Sequence, residues 1–146
     1  MTRPLRVGVA GMGIGQAHLL AYVSMPDLFE VVALADTDEA RRSRAARDWG
    51  IRAVTGVDEL VALDLDVIDV CTPPRLHEAH CRAALAAGRH VICEKPLVAD
   101  EASLDRIEAD EAASSGRVMP IFQYRFAPGI ARMKALVDAG LCGAVY

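Results

Sequence analysis

The chain has 146 residues, 53% of them hydrophobic and 25% charged, with a formal net charge of -4. That length suits one domain with a well-buried core, and the composition excludes a disordered polar chain. Acidic and basic residues are interspersed, without the cationic footprint of a nucleic-acid or anionic-membrane binder, and no run of about 20 apolar residues suggests a membrane span.

Short β-branched runs alternate with longer, alanine-rich amphipathic segments. Strands are predicted over Leu5–Ala10, Glu30–Ala35, Ile51–Val54, Val67–Cys71, His90–Cys93 and Val118–Phe122. Helices are predicted between and after them, over Gly15–Val23, Asp38–Trp49, Val57–Leu63, Arg75–Ala87, Glu101–Ser114 and Pro128–Ala139. Gly50, Gly88 and Gly140 stand where helices end and a left-handed residue can close the last turn. The runs VVALA and VIDVC are almost continuously apolar, as strands are when helices cover both faces of a parallel sheet. The expected class is therefore α/β, a doubly wound parallel sheet in a single domain over 1–146. Pro120 cannot donate to a neighbour, which favours an edge position or a strand's beginning. Arg41, Arg42, Arg44 and Arg47 read as the wet face of a helix.

The start of the chain, MTRPLRVGVAGMG, lacks the longer hydrophobic segment and small-residue cleavage site of a secretory signal. Cys71, Cys81, Cys93 and Cys142 form neither a CxxC pair nor a metal-site spacing, so no metal is expected. Cys71 and Cys93 sit in strand-like runs, where a free thiol acts as a small hydrophobe. A cytoplasmic protein is the simplest expectation.

The segment Val7-Gly8-Val9-Ala10-Gly11-Met12-Gly13-Ile14-Gly15 spans the first strand and opens the first helix. Pyrophosphate needs unobstructed backbone N–H groups and the positive end of a helix, and side chains at the turn would block it. Gly11 suits the tight turn, Gly13 the backbone approach to phosphate, and Gly15 close helix–strand contact. The spacing is GxGxG, one residue shorter than the usual GxGxxG. Asp36 then follows VVALA, about 20 residues on, where an acid accepts hydrogen bonds from a ribose. A carboxylate there repels the 2'-phosphate of NADP and Thr37 brings no positive charge, so NAD is expected in preference to NADP. Arg41 and Arg42 lie close enough to swing toward a 2'-phosphate, and Asp36 also reads as a plain loop residue before a helix capped by Asp38.

Functional groups collect outside the carboxyl ends of such strands. Thr72-Pro73-Pro74-Arg75-Leu76-His77 follows the fourth strand, and Glu94-Lys95-Pro96 the fifth. Lys95 has the chemistry to bind an alcohol or carbonyl oxygen and to exchange the proton that accompanies hydride transfer, although a surface Glu–Lys pair reads the same way. His77 and His80 share a helical face at a spacing compatible with a metal pair, but no further ligands converge and packing is the simpler role. His18 is expected to pack near the glycine turn.

Together, the glycine turn with His18, VVALAD, TPPRLH, AALAAGRHVICEKPL and Gln123-Tyr124-Arg125-Phe126 resemble the glucose–fructose oxidoreductase, inositol dehydrogenase and rhizopine-catabolism superfamily, the Gfo/Idh/MocA family. The resemblance runs the length of the chain and is carried most specifically by Glu94-Lys95-Pro96. It implies a Rossmann-type NAD(P)-binding domain of a dehydrogenase that oxidises a secondary alcohol on a sugar or cyclitol, or runs the reverse reduction. It implies Lys95 as a catalytic or substrate-orienting residue. The implied cofactor contacts are Gly11, Met12, Gly13, Ile14, Gly15, Asp36, Thr37, Thr72, Pro73, His77, Glu94, Lys95 and Arg125. It further implies a second, substrate-binding and oligomerising domain that this chain lacks, a homo-oligomeric full-length protein and little turnover by this part alone. A non-catalytic NAD-binding sensor or interaction module that kept the fold is the competing reading.

Overall fold

The computed structural model describes residues 3–144. Six strands form one sheet: β1 (Leu5–Ala10), β2 (Phe29–Ala35), β3 (Arg52–Val54), β4 (Val67–Val70), β5 (His90–Cys93) and β6 (Val118–Pro120). Every pairing is parallel, and the order is β3-β2-β1-β4-β5-β6. The helices are α1 (Gly15–Val23), α2 (Glu39–Trp49), α3 (Val57–Val61), α4 (His77–Ala86), α5 (Glu101–Ala113) and α6 (Pro128–Asp138). This is the expected doubly wound sheet. Its strand order reverses between β1 and β4, which opens a crevice beyond their carboxyl ends.

Local chemistry places the boundaries. Asp38 accepts the Arg41 N–H at 2.9 Å and starts α2, and Asp100 accepts the Ser103 N–H at 2.8 Å and starts α5. Gly50 closes α2 in the left-handed conformation, at φ 65°. The expected helix from Arg75 instead begins at His77, because Pro73 and Pro74 lead the chain into a 3-10 turn over Pro74–Leu76. The fourth strand ends at Val70, one residue early, and the sixth ends at Pro120 on the sheet edge, before the expected Phe122.

The core lies on both faces of the sheet. Val54, Leu60, Leu65, Ile68, Leu85, Val91 and Ile107 fill one side, and Val7, Val9, Met12, Tyr22, Leu34 and Val67 the other. The chain's last part contrasts with this. Ile130, Met133, Leu136 and Val137 of α6 are exposed, as are Phe122, Tyr124 and Phe126 before it.

Candidate functional site

The glycine turn leaves β1 at the switch point. Gly11 sits at φ +95°, donates its N–H to the Ala35 carbonyl at 2.7 Å, and has no room for a Cβ, which would meet the Cys71 carbonyl oxygen at 2.6 Å. A Cβ on Gly15 would press on the side chains of Val9 and Cys71 at 3.1 and 3.2 Å, so this glycine lets α1 lie close on the sheet. Gly13 differs, because a Cβ there would meet nothing within 4 Å. Its open side faces the crevice and leaves the backbone free for an approaching phosphate. The shortened spacing still delivers a helix start, since α1 begins at Gly15 with no side-chain cap and no acid in its first turn. The uncapped N–H groups and the helix dipole favour an anion there. The Met12 side chain is fully buried in the core, while Ile14 is exposed.

Asp36 stands at the end of β2. Its Oδ2 accepts the Met12 N–H at 2.8 Å and Oδ1 the Asp38 N–H at 2.8 Å, so the acid ties the glycine turn to the start of α2. Arg41 adds Nε to Oδ2 at 3.2 Å and Nη2 to Oδ1 at 3.3 Å, and Arg42 donates to the Asp36 carbonyl at 2.7 Å. Burial raises the Asp36 pKa, but the two backbone N–H groups and Arg41 outweigh it and hold the carboxyl below the ordinary range.

Between these elements lies a cleft of about 500 Å³. Gly11 and Gly13 form one wall, Asp36, Thr37 and Arg41 a second, and Thr55–Val57 a third, while Cys71, Thr72, Pro73, Arg75, Leu76 and His80 close the remaining side. Of the expected contacts, Gly11, Gly13, Asp36, Thr37, Thr72 and Pro73 line it. Arg75 and His80 join them, although the sequence offers Arg75 only as part of the turn after the fourth strand and His80 as a packing residue or half of a metal pair. Arg125 does not reach it. That residue is exposed in a 3-10 turn over Gln123–Phe126, with its guanidinium 5.7 Å from the Phe126 ring centre.

His77 does not line the cleft either. It is buried, with Nε2 2.7 Å from the Thr72 carbonyl oxygen and Nδ1 2.7 Å from that of Pro96. The ring thus fastens the turn after β4 to the turn after β5. His80 lies 3.0 Å from the Thr72 hydroxyl through Nδ1, and burial, then His77, lowers its pKa.

A second cluster sits behind the glycine turn. Asp69, fully buried on β4, faces His18 Nδ1 at 2.8 Å and accepts the Tyr22 hydroxyl at 2.9 Å, both through Oδ2. The Cys71 thiol donates to its Oδ1 at 3.4 Å and lies 3.2 Å from His18 Nδ1. His18 Nε2 reaches Glu94 Oε1 at 3.3 Å, and Glu94 Oε2 accepts the backbone N–H of Lys95 at 3.0 Å. The hydrogen bond to Asp69 is the largest influence on His18 and raises its pKa. Burial, then the Asp69 charge, pushes the Tyr22 hydroxyl and the Cys71 thiol up. Single ligand atoms of His18, Asp69 and Cys71 fall within 4.8 Å of one another, a spacing a metal ion could bridge, but here they are engaged with each other. From sequence alone, His18 has only a packing role and Cys71 only a hydrophobic one. The available signal was the acid inside the otherwise apolar run VIDVC.

Comparison with known proteins agrees with this fold. The family described as "Oxidoreductase family, NAD-binding Rossmann fold" (GFO_IDH_MocA) matches residues 5–122. Inositol 2-dehydrogenase 3 of Saccharopolyspora erythraea is 37% identical over 142 residues, which cover 95% of this chain and 42% of that protein. The WlbA dehydrogenase of Bordetella pertussis, solved with NADH and UDP-GlcNAcA, superposes with a TM-score of 0.94 at 26% identity, over 99% of this chain and 45% of that one. KijD10, a 3-ketoreductase of Actinomadura kijaniata solved with NADP and TDP-benzene, superposes with a TM-score of 0.85 at 32% identity, over 94% and 43%. The chain thus spans less than half the length of these relatives.

Proposed function

The chain belongs to the Gfo/Idh/MocA family of oxidoreductases with an NAD-binding Rossmann fold, and from that premise we propose that its cleft binds NAD for hydride transfer to or from a secondary alcohol of a sugar or cyclitol. The observation that carries this reading is the pairing of an open glycine backbone at Gly13 with a buried carboxyl, Asp36, across the switch point of the sheet. That arrangement suits a pyrophosphate on one side and a ribose diol on the other. The nicotinamide would supply the hydride acceptor or donor. Gly11, Gly13 and the start of α1 would hold the phosphates, Asp36 and Thr37 the adenine-side ribose, and Thr72 and Pro73 the flank of the dinucleotide. Met12, Ile14 and Gly15 would act through the shape of the turn.

Lys95 is the group proposed to bind the reacting oxygen and to move its proton. It follows β5 and is exposed, with its backbone held by Glu94. His77 would serve by fixing this turn against Thr72, and Arg125 at the margin of a substrate-binding part. Such a part would complete the site by orienting substrate and excluding water. The exposed apolar side chains of α6 give it, or a second subunit of a homo-oligomer, a surface to cover. Without it the nucleotide-binding part would bind cofactor and turn over little. A cytoplasmic setting is supported by four free cysteines, three of them buried. No described helix is long and apolar enough to cross a membrane.

One observation favours NADP as the second reading: Arg41 and Arg75 both line the cleft. Amide chemical-shift mapping tests the site directly. Addition of NAD should move the amides of Gly11–Gly15, Asp36, Thr37 and Thr72. Shifts confined to other surfaces would overturn the assignment.

A further inference from the structure

Glu94 and Lys95 leave the end of β5 next to a ring that comes from the opposite end of the sequence. His18 stands on α1 with one nitrogen on Asp69 and the other on Glu94, and Glu94 uses its remaining oxygen on the Lys95 N–H. We propose that His18 is a positioning residue for the Glu94–Lys95 turn: anchored by Asp69, its imidazole holds the Glu94 carboxyl where it captures the backbone of Lys95. The importance of this for chemistry rests on the role proposed above for Lys95. The hydrogen-bonded coupling itself does not.

Both partners of the ring are carboxyls, and ionised carboxyls only accept hydrogen bonds. Both ring nitrogens must therefore donate for both contacts to hold, which requires the doubly protonated ring. A neutral ring has one N–H, and the contact to Asp69 is the shorter of the two, at 2.8 Å against 3.3 Å. Loss of the proton therefore falls on Glu94, whose Oε1 then faces a lone pair. Asp69 cannot follow the ring outward, because Tyr22 and Cys71 also bind it in the core. The adjustment then falls on the Glu94 carboxyl, and through its Oε2 on the contact to the Lys95 N–H.

The titratable groups that face the ring are Asp69 and Cys71 on or just beyond β4, Glu94 beyond β5 and, across Asp69, Tyr22 on the same helix. The two acids favour the charged ring and burial opposes it, with the Asp69 hydrogen bond outweighing burial. Release of Lys95 is therefore expected as the pH rises above the ordinary histidine value of about 6.5.

NMR on the chain without any ligand tests the coupling. The Lys95 amide shift and the His18 ring shifts should change with pH at one shared midpoint, above about 6.5. Asp69→Asn should move both midpoints down together by about one pH unit or more. His18→Asn should abolish the Lys95 transition at that midpoint. A Lys95 amide that ignores the His18 titration in the wild-type chain would overturn the proposal, as would a Lys95 midpoint that stays put in Asp69→Asn. The wild-type and Asp69→Asn titrations decide the matter even if His18→Asn fails to fold. A chain that shows the coupling but binds no NAD would refute the cofactor reading and leave this one standing.

Discussion

Arg41 covers Asp36 on its cleft side, with Nε 3.2 Å from Oδ2 and Nη2 3.3 Å from Oδ1. Backbone N–H groups of Met12 and Asp38 already take one position on each oxygen, so a ribose hydroxyl can reach the carboxyl only where Arg41 now sits. The Arg41 side chain is 55% exposed although Asp36 is buried, so solvent already screens the guanidinium and a ribose hydroxyl can take its place. Arg41→Ala is therefore expected to change NAD affinity less than about fivefold. NADP, deprived of a cation at the cleft edge, should weaken by about tenfold. Parallel titrations with the two nucleotides check this, and equal losses would show that Arg41 does not discriminate between them.

Gly11 and Gly13 should respond to alanine in opposite ways. At Gly11 the new Cβ meets backbone at 2.6 Å and the φ is left-handed, so a loss of roughly 2–4 kcal/mol in unfolding free energy is expected. At Gly13 there is free space, and stability should change by less than about 0.5 kcal/mol. Gly13→Ala should nevertheless weaken NAD binding tenfold or more, because the methyl group takes up room the phosphate needs. Urea unfolding alongside NAD titration separates the two effects.

Asp69 gathers the hydroxyl of Tyr22, the ring of His18 and the thiol of Cys71 inside the core. Asp69→Ala leaves all three without their acceptor and should cost roughly 3–5 kcal/mol. Asp69→Asn keeps one oxygen and should cost clearly less. Equal unfolding midpoints in urea for the alanine variant and the wild type would contradict this account of the cluster.

His18 also sets a pH dependence of stability. Its folded-state pKa is raised above the unfolded value, so its contribution is fully present below about 6.5 and is lost as the pH rises through the folded value. Asp36 acts in the opposite direction. Its folded pKa is lowered, so its contribution is present above the unfolded value and is lost as the pH falls through the folded one. Unfolding free energies at pH 5.5 and 8.5 should show a smaller difference between wild type and His18→Asn at the higher pH.

The fold was largely legible because its punctuation is local. Leu5–Ala10, Gly15–Val23 and His90–Cys93 have the bounds the sequence predicts, each defined by a change of periodicity or a glycine. The start of β2 at Phe29 was missed because it depends on pairing with Leu5 across the sheet. Within the cleft, glycines and the strand-end acid were readable from spacing, whereas Arg75 and His80 enter only because the 3-10 turn after Pro73 aims the chain back. The His18 cluster was hidden for a similar reason. Its partners lie 51 and 76 residues away, and no local spacing records a contact made by strand order.

This chain is expected to carry a working dinucleotide site, and calorimetric titration of the purified chain with NAD is the decisive test. Saturable one-to-one binding is expected, weakened tenfold or more by Gly13→Ala while the fold stays intact. A folded wild-type chain that takes up no NAD, or one that binds NAD equally well with Gly13→Ala, would contradict it.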